Sequence, residues 1–494
     1  MRRLEDFPDA HLRIFERPAP PDPSAIRSVY FVGICGKGMG ALAELFAQAG
    51  YAVRGSDEAA YPPMSTRLAA LGIPIDEGYD PAHLEDARPD LVVIGNACTP
   101  AHPEAAYARE QGLVQLSFPE ALAHAFLARR RSVVIAGTHG KTTTTGLAVH
   151  VFREAGLDPG FLVGGVLAGE DATSAVGSGP HFIVEGDEYD AAYFDKRPKM
   201  WLYQPTVAVV TSMEFDHADI YADWEDYRDA FRRFVRLVPE AGLLVLNGDA
   251  PAVRALAAES AAPVRFVGLG DGNDVTARGV RAGEGGQRFV VEAPGVEPFE
   301  VLLPLGGAHN RLNALCVAAV ALHEGLAPEA VARGLATFQG MRRRQEMRGE
   351  PGGVLVVDDF AHHPTAVAGT LAGVRERWPG RRLVAVFEPR SNSSRRKLFE
   401  RPYGEAFDAA DRVFLSAPPL RHNDDPADFL DPEAVAARVR ERGVPAAAYA
   451  GADALLPDLL DALRPGDLVL VMSNGSFDGL VDTLLAALET RNGA

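Results

Sequence analysis

Short apolar runs alternate along this chain with longer stretches whose apolar positions recur at helical spacing. Runs of the first kind begin at Val29 and occupy residues 52–57, 90–97, 133–136, 181–185, 207–211 and 243–247. Four more lie at 354–359, 383–389, 412–417 and 467–473. Such runs are strands buried on both faces, and strands that alternate with helices build parallel sheets. The fold class expected is therefore α/β, in three consecutive units. Their bounds are drawn at 28–130, 131–344 and 345–494, after an N-terminal extension, 1–27, that ends in the Pro-rich PAPPDPS. Ligands of parallel sheets bind at the carboxyl ends of the strands, so the loops that follow these runs are where chemistry is sought.

The bulk numbers narrow the partners. A chain of 494 residues holds several cores, and 47% hydrophobic with 23% charged residues is a globular composition. A formal charge of −18 argues against nucleic acid or an anionic membrane as partner, since both need a basic face. The three cysteines, Cys35, Cys98 and Cys316, form no CxxC pair. Arg2 and Arg3 lead into no apolar h-region, and no run is long enough to span a bilayer, so the expected compartment is the cytoplasm.

The richest segment is SVVIAGTHGKTTTTGLAVHVF, 132–152. It is a buried strand, then the loop Gly137-Thr138-His139-Gly140-Lys141-Thr142, then a helix. That order is a phosphate cradle: loop and first-turn N–H groups face phosphate oxygens, a lysine reaches the β/γ-phosphates, and a hydroxyl serves Mg²⁺. Ile135 stands where the usual spacing has its first glycine, so the loop is a variant. Lys141 is one of only five lysines, which makes it unlike filler.

Other loops carry further candidates. Gly33, Gly36, Gly38 and Gly40 follow the first strand in the manner of a diphosphate site, with Asp57 where a ribose-binding acid sits, and they do not specify the nucleotide. Glu185 ends a strand beside the phosphate loop and suits Mg²⁺, while Asp187, Glu188 and Asp190 read equally as a solvated acidic turn. EFDHADIY offers Glu214, Asp216, His217 and Asp219, with His217 placed to ligate a second metal or to orient phosphate. Asn310 and Asn313 lie one turn apart on a helix, either as readers of an adenine edge or with Asn310 as a cap. Asp358, Asp359, His362 and His363 follow one strand of the last unit, and Glu388, Arg390, Ser391 and Asn392 follow the next.

Taken in order, GICGKGMGALA, AGTHGKTTT, VEGDEYD, EFDHADIY, HNRLN, RRR and DDFAHHPT resemble the Mur ligase family, ATP-dependent amide-forming enzymes of bacterial cell-wall synthesis. The resemblance runs from about residue 28 to the end. It implies a Rossmann-like N-terminal domain, a P-loop ATPase-like central domain and a Rossmann-like C-terminal domain. YPPMST, GNACT, FDKR, FEPRSN and VMSNGSF are similar to the branch that joins L-alanyl-γ-D-glutamyl-meso-diaminopimelate to UDP-N-acetylmuramate in peptidoglycan recycling. The alternative is the branch that adds L-alanine in new synthesis.

By resemblance, Gly33, Gly36, Gly38, Met39, Gly40, Ser56 and Asp57 bind the UDP-sugar. ATP falls to Gly137, Thr138, His139, Gly140, Lys141, Thr142, Thr143, Asn310, Asn313, Arg344 and Asp359, and Mg²⁺ to Thr142, Glu185 and His217. Lys141, Glu185, His217 and Arg344 carry catalysis. Arg390, Ser391 and Asn392 are assigned to the peptide, because an arginine fork suits carboxylates, with Arg395 and Arg396 as weaker candidates. The expected partners are these small molecules alone, with the protein a monomer or weak homodimer. Several relatives hold the second Mg²⁺ on a carbamoylated lysine. This chain has no lysine between Lys199 and Lys397, so that device is absent. A nicotinamide dehydrogenase would leave the second loop unexplained, and a nucleotide sensor without turnover would be expected to lack Lys141, Glu185 or His217.

Overall fold

The computed structural model describes residues 3–60, 62, 64–170, 172–217, 220–419 and 428–492. Asp219, Tyr61 and Pro63 of the motifs above lie outside the described residues. The chain divides into two compact units. The first comprises the chain up to Val166, Glu170–Val275 and Cys316–Gly334; the second comprises Leu167–Gly169, Thr276–Leu315 and Leu335 onward.

The first unit holds two sheets. One is made of β1 (Ser28–Val32), β2 (Ala52–Asp57), β3 (Ile75–Glu77), β4 (Leu91–Ile94) and β5 (Gln115–Ser117), all parallel. The order β3-β2-β1-β4-β5 puts the topological switch between β1 and β4, so the glycine loop after β1 opens into the crevice. The other sheet takes β6 (Arg131–Ala136), β7 (Gly160–Leu162), β8 (Ser174–Ala175) and β9 (His181–Gly186). The hairpin of β10 (Asp190–Ala192) and β11 (Asp195–Pro198) stands apart, and β12 (Val207–Val210), β13 (Leu243–Asn247) and β14 (Val264–Gly268) are the remaining strands of the sheet in this unit. Within this unit the order is β14-β13-β12-β6-β9-β7-β8, parallel except for β7 with β8. β12 and β9 flank β6, so the loops after all three strands meet at one edge. These central strands are buried throughout, which is why they show in the sequence as unbroken apolar runs.

The second unit holds antiparallel β15 (Val275–Gly283), β16 (Gly286–Ala293) and β17 (Val296–Leu303). It also holds a sheet of β18 (Glu346–Gly349), β19 (Leu355–Asp359), β20 (Leu383–Glu388), β21 (Arg412–Ser416), β22 (Ala446–Tyr449) and β23 (Leu468–Ser473). The order is β18-β19-β23-β20-β21-β22, parallel except for β18. The three α/β sheets expected from the hydrophobic pattern are all present. All three cysteines are free and buried.

Residues 3–27 are more ordered than their composition suggests. They form short helical turns at Leu4–Asp6, Ala10–Arg13 and Pro23–Ala25. Phe15 stacks on Tyr193, and the Arg17 guanidinium grips Glu120 at 2.8 and 2.9 Å.

Candidate active site

The loop after β6 ends in a helix, Lys141–Glu154, whose cap residue Gly140 has φ +85°. That left-handed conformation suits glycine, and a glycine cap supplies no side-chain acceptor to the first-turn N–H groups. The helix Lys37–Gln48 after β1 is likewise capped by a glycine, Gly36, with no side-chain bond. Both helix starts therefore keep their N–H groups and positive dipole ends for an anion.

Around Lys141 the first unit gathers four of the expected residues. The ammonium donates to the Gly137 carbonyl and to Glu188 Oε2, each at 2.7 Å. His217 Nε2 meets the other oxygen of Glu188 at 3.3 Å. The Thr142 hydroxyl donates to Glu185 Oε2 at 3.1 Å, while Glu185 Oε1 accepts the Gly164 N–H at 2.6 Å. Glu188 is the hub. It is 1% exposed, and its carbonyl accepts the Tyr221 hydroxyl. As the middle member of an acidic run it gave no sequence signal separating it from Asp187 and Asp190, so its central place is a finding of the structure.

The electrostatics follow from this pairing. Burial works against the Glu188 charge, yet Lys141 and His217 hold its carboxyl down to about 2. Burial also opposes the His217 charge, but the Glu188 bond and the Glu188 and Asp216 carboxylates raise the imidazole to about 9. Lys141 stays above its usual range for the same reason, its burial outweighed by Glu188, Asp187 and Glu185. His217 also has φ +54°, a conformation that costs a non-glycine residue roughly 1–3 kcal/mol and collects at functional sites. The neighbouring residues hold the loop in shape. Thr138 Oγ1 donates to the Glu214 carbonyl at 3.0 Å and accepts the Glu214 N–H at 2.9 Å. The His139 N–H meets Ser212 Oγ at 2.8 Å, and its ring meets Glu214 at 3.1 Å. Thr143 is buried one residue into the helix from Thr142.

In the first sheet, the N–H groups of Gly33 and Ile34 both bond the Ser56 carbonyl at 2.9 Å. Asp57 Oδ2 accepts the Cys35 N–H at 2.8 Å, so this acid shapes the glycine loop from below. The Ser56 hydroxyl is fully buried on Glu104, whose other oxygen takes His83 at 2.8 Å. Met39 is buried, and the Cβ position of Gly38 lies 3.5 Å from the Phe118 ring.

The second unit joins three further candidates through a residue the motifs did not mark. Gln345 donates to the Gly306 carbonyl at 3.2 Å and accepts the Gly306 N–H at 3.2 Å. The Gly306 carbonyl also takes Asn310 at 2.8 Å, and Asn313 donates to Asn310 at 3.3 Å. Asn310 lies inside the helix Ala308–His323 rather than at its cap. Asp359 accepts the N–H groups of Gln345 and Ala361 at 2.8 and 2.7 Å, and burial raises its carboxyl against the pull of Arg344. The Arg344 guanidinium lies over Phe360.

Arg390 reaches Glu388 at 3.2 Å and Asp478 at 3.8 Å, and its stem occupies the space a side chain at Gly475 would need. The loop after β23 is therefore part of this corner. There Phe477 and Asp478 both take positive φ, and Asn474 Oδ1 is buried without a hydrogen-bond partner among the described residues. Ser391 and Ser394 exchange N–H to hydroxyl bonds at 2.9 Å, while Asn392 is exposed. Arg395 is corrected as a peptide candidate. It is 3% exposed and fixed on the Pro419 carbonyl at 3.0 Å and on the Phe429 ring. Arg396 shares that ring and meets Asp428 at 3.5 Å.

Family models cover most of the chain in order. The Mur ligase family catalytic domain matches 28–130, the Mur ligase middle domain 135–321, and the Mur ligase glutamate ligase domain 343–475. A relative from Escherichia coli K12, named UDP-N-acetylmuramate–L-alanyl-γ-D-glutamyl-meso-2,6-diaminoheptanedioate ligase, is 39% identical over 93% of this chain and 98% of its own. A UDP-N-acetylmuramate–L-alanine ligase from Oleidesulfovibrio alaskensis is 37% identical over 91% of this chain and 96% of its own. A crystal structure of a murein peptide ligase from Psychrobacter arcticus 273-4 superposes with a TM-score of 0.69 at 32% identity, covering 94% of this chain and 99% of that one. The three family models follow one another along the chain, the relatives align with it over nearly the full length in both sequence and fold, and the protein belongs to the Mur ligase family.

Proposed function

We propose that the protein joins the tripeptide L-alanyl-γ-D-glutamyl-meso-diaminopimelate to UDP-N-acetylmuramate, with ATP hydrolysed to ADP and phosphate, in peptidoglycan recycling. The observation that carries the reading is the cluster in which Lys141, at the glycine-rich loop after β6, pairs with Glu188, which His217 also meets, in a chain 39% identical to a ligase of that name. The domains are assigned as 28–130 for the UDP-sugar, 131–344 for ATP and 345–494 for the peptide, with 1–27 an extension.

In this reading Gly137 to Thr143 cradle the triphosphate, and Lys141 exchanges part of its hold on Glu188 for phosphate oxygen. Asn310, Asn313, Arg344 and Asp359 serve the rest of ATP. The muramoyl carboxylate takes the γ-phosphoryl group to give an acyl phosphate, and the tripeptide amine then displaces phosphate through a tetrahedral intermediate. Alignment of two anions and neutralisation of their charge are what the protein supplies. Thr142 and Glu185 bring two hard oxygen donors within 3.1 Å of each other, a fit for Mg²⁺, and His217 would complete the set on giving up its proton. When bound, Mg²⁺ neutralises the charge shared by the β- and γ-phosphates. Gly33, Gly36, Gly38, Met39, Gly40, Ser56 and Asp57 hold the UDP-sugar. Arg390, Ser391 and Asn392 meet the peptide, joined by the loop at Asn474.

No helix among the described residues is long and apolar enough to cross a membrane. We assign the protein to the cytoplasm as a monomer or weak homodimer acting on small molecules. The test is phosphate release from ATP with UDP-N-acetylmuramate and either acceptor. Tripeptide should be preferred to L-alanine by orders of magnitude, and a preference for L-alanine would move the protein to the synthetic branch.

A further inference from the structure

Lys199, like Lys141, is sunk into the first unit beside the acidic loop. Lys199 follows the hairpin, and its segment is laced to that loop by two backbone bonds, Lys199 N–H to the Tyr189 carbonyl at 3.1 Å and Met200 N–H to the Asp187 carbonyl at 3.0 Å. The side chain is 11% exposed. Its ammonium lies 4.2 Å from the Tyr189 ring centre and 4.8 Å from that of Phe118. Asp187, at 3.8 Å, is its one ion-pair contact among the described residues, and that is too long for a hydrogen bond. Burial pulls the ammonium below its usual range, with Asp187, Asp190 and Glu185 opposing. Buried lysines are almost always paired, and two π faces with a distant carboxylate leave three N–H donors poorly served.

The position explains what is missing. On one side stands Phe118, which packs beneath Gly38 of the glycine loop after β1. On the other stands the loop after β9 that bears Asp187 and Glu188, next to Glu185 at the end of that strand. Lys199 thus lies between the two phosphate-handling loops of one compact unit. We propose that the Lys199 ammonium binds the muramate carboxylate of the UDP-sugar and the acyl phosphate formed from it. The proposal rests on the reading above, in which that carboxylate must reach from the first sheet to the phosphate loop of the second. A carboxylate oxygen bonds to the γ-phosphorus while the bond from phosphorus to the ADP oxygen breaks. Lys199 keeps its proton throughout and offsets the repulsion between carboxylate and triphosphate.

Lys199→Met keeps the stem and removes the charge. Calorimetric titration with UDP-N-acetylmuramate is compared with titration by UDP-N-acetylglucosamine, which lacks the carboxylate. The expected result is a loss of tenfold or more for the first and less than twofold for the second, with unchanged ATP binding. A loss for UDP-N-acetylmuramate below threefold, or an equal loss for both sugars, overturns the proposal. Lys199→Gln repeats the comparison should methionine disturb folding. If the wild-type protein itself binds the two sugars equally, the muramate reading fails, and that outcome is separate from any result with the variants.

Discussion

Lys141 is bonded to Glu188 and Gly137, so its charge is held at the loop after β6. On the proposed reading, Lys141→Ala removes a contact to the group in transfer, which costs on the order of 3–4 kcal/mol in the barrier. Phosphate release should fall by two orders of magnitude or more, while UDP-sugar binding, which depends on the first sheet, stays near its wild-type value. Activity within tenfold of wild type would remove the phosphate-loop assignment. Glu188 admits a sharper test, because its negative charge is what raises His217 to about 9. In Glu188→Gln the burial of the imidazole is no longer offset, so its pKa should drop to the ordinary histidine range or below, as read by NMR titration of the ring protons. A His217 that still titrated near 9 would show that Asp216 alone sustains its charge. Lys141, Glu185 and His217 were legible in the sequence because each stands at or just after the end of a buried strand. Glu188 and Lys199 were not, since in an acidic turn or a basic run only packing decides which side chain turns inward.

At the level of elements, the helix that ends at His323 is tied back to the strands beneath it by one buried carboxylate. Glu324 takes Arg131 at 2.6 and 2.7 Å and His181 at 2.9 Å. Burial would raise its carboxyl, but His181 and Arg131 hold it down to about 2. A depressed carboxylate stabilises the fold fully above its unfolded value near 4.5 and loses that contribution as pH falls toward about 2. The shift corresponds to roughly 3 kcal/mol at neutral pH. Glu324→Gln should therefore lower the thermal midpoint at pH 7, and its gap from wild type should narrow as pH falls from about 5 to about 2. A gap that stays constant over that range would assign the loss to packing instead. In the second unit, the loops after β20 and β23 meet where Arg390 lies against Gly475. Arg390→Ala should raise the tripeptide KM several-fold to tenfold and leave the ATP KM unchanged, as steady-state kinetics will show. The buried strands of this sheet stood out as apolar runs, yet β15 to β17 did not. Much of β15 is solvent-exposed, so hydrophobic continuity, the signal used for the rest, is missing there. The loop after β23 was legible as a family motif, but its contact with Arg390 joins two distant segments that no spacing rule connects.

For the molecule as a whole, the segment before the first strand reaches both the first sheet and the separate β10–β11 hairpin. Arg17 grips Glu120, at the end of the first sheet, and its guanidinium lies 4.5 Å above Phe194, in the turn of the hairpin. Arg13 donates to the Tyr193 carbonyl at 3.1 Å, and Phe15 packs on Tyr193 and Phe194. Those two rings sit in one apolar cluster with Tyr30, Val32, Val92 and Ile94 of the first sheet, so the segment covers the place where hairpin and sheet join. It also roofs a cavity of about 660 Å³ floored by Gln115, Leu116, His124 and Tyr203, which shares none of the residues assigned to catalysis. These contacts describe a brace. A bidentate, half-buried arginine–carboxylate pair contributes about 1–3 kcal/mol, and the burial of Phe15 adds about 1–2 kcal/mol. Composition alone hid this, because a polar, Pro-rich stretch carries no periodicity and its anchors are single residues. Removing residues 1–20 should lower the thermal midpoint by several degrees. The Glu120 carboxylate keeps the Ser117 N–H and hydroxyl at 2.9 Å, so the loss should stop short of unfolding the first sheet. Arg17→Ala should reproduce part of the shift, and the KM for ATP should stay within twofold in both variants. An unchanged midpoint in the deletion, by differential scanning calorimetry, would show that the segment rests on the surface without bracing it. A large rise in the ATP KM would mean instead that the hairpin carries the effect two residues onward, from Asp190 to Glu188.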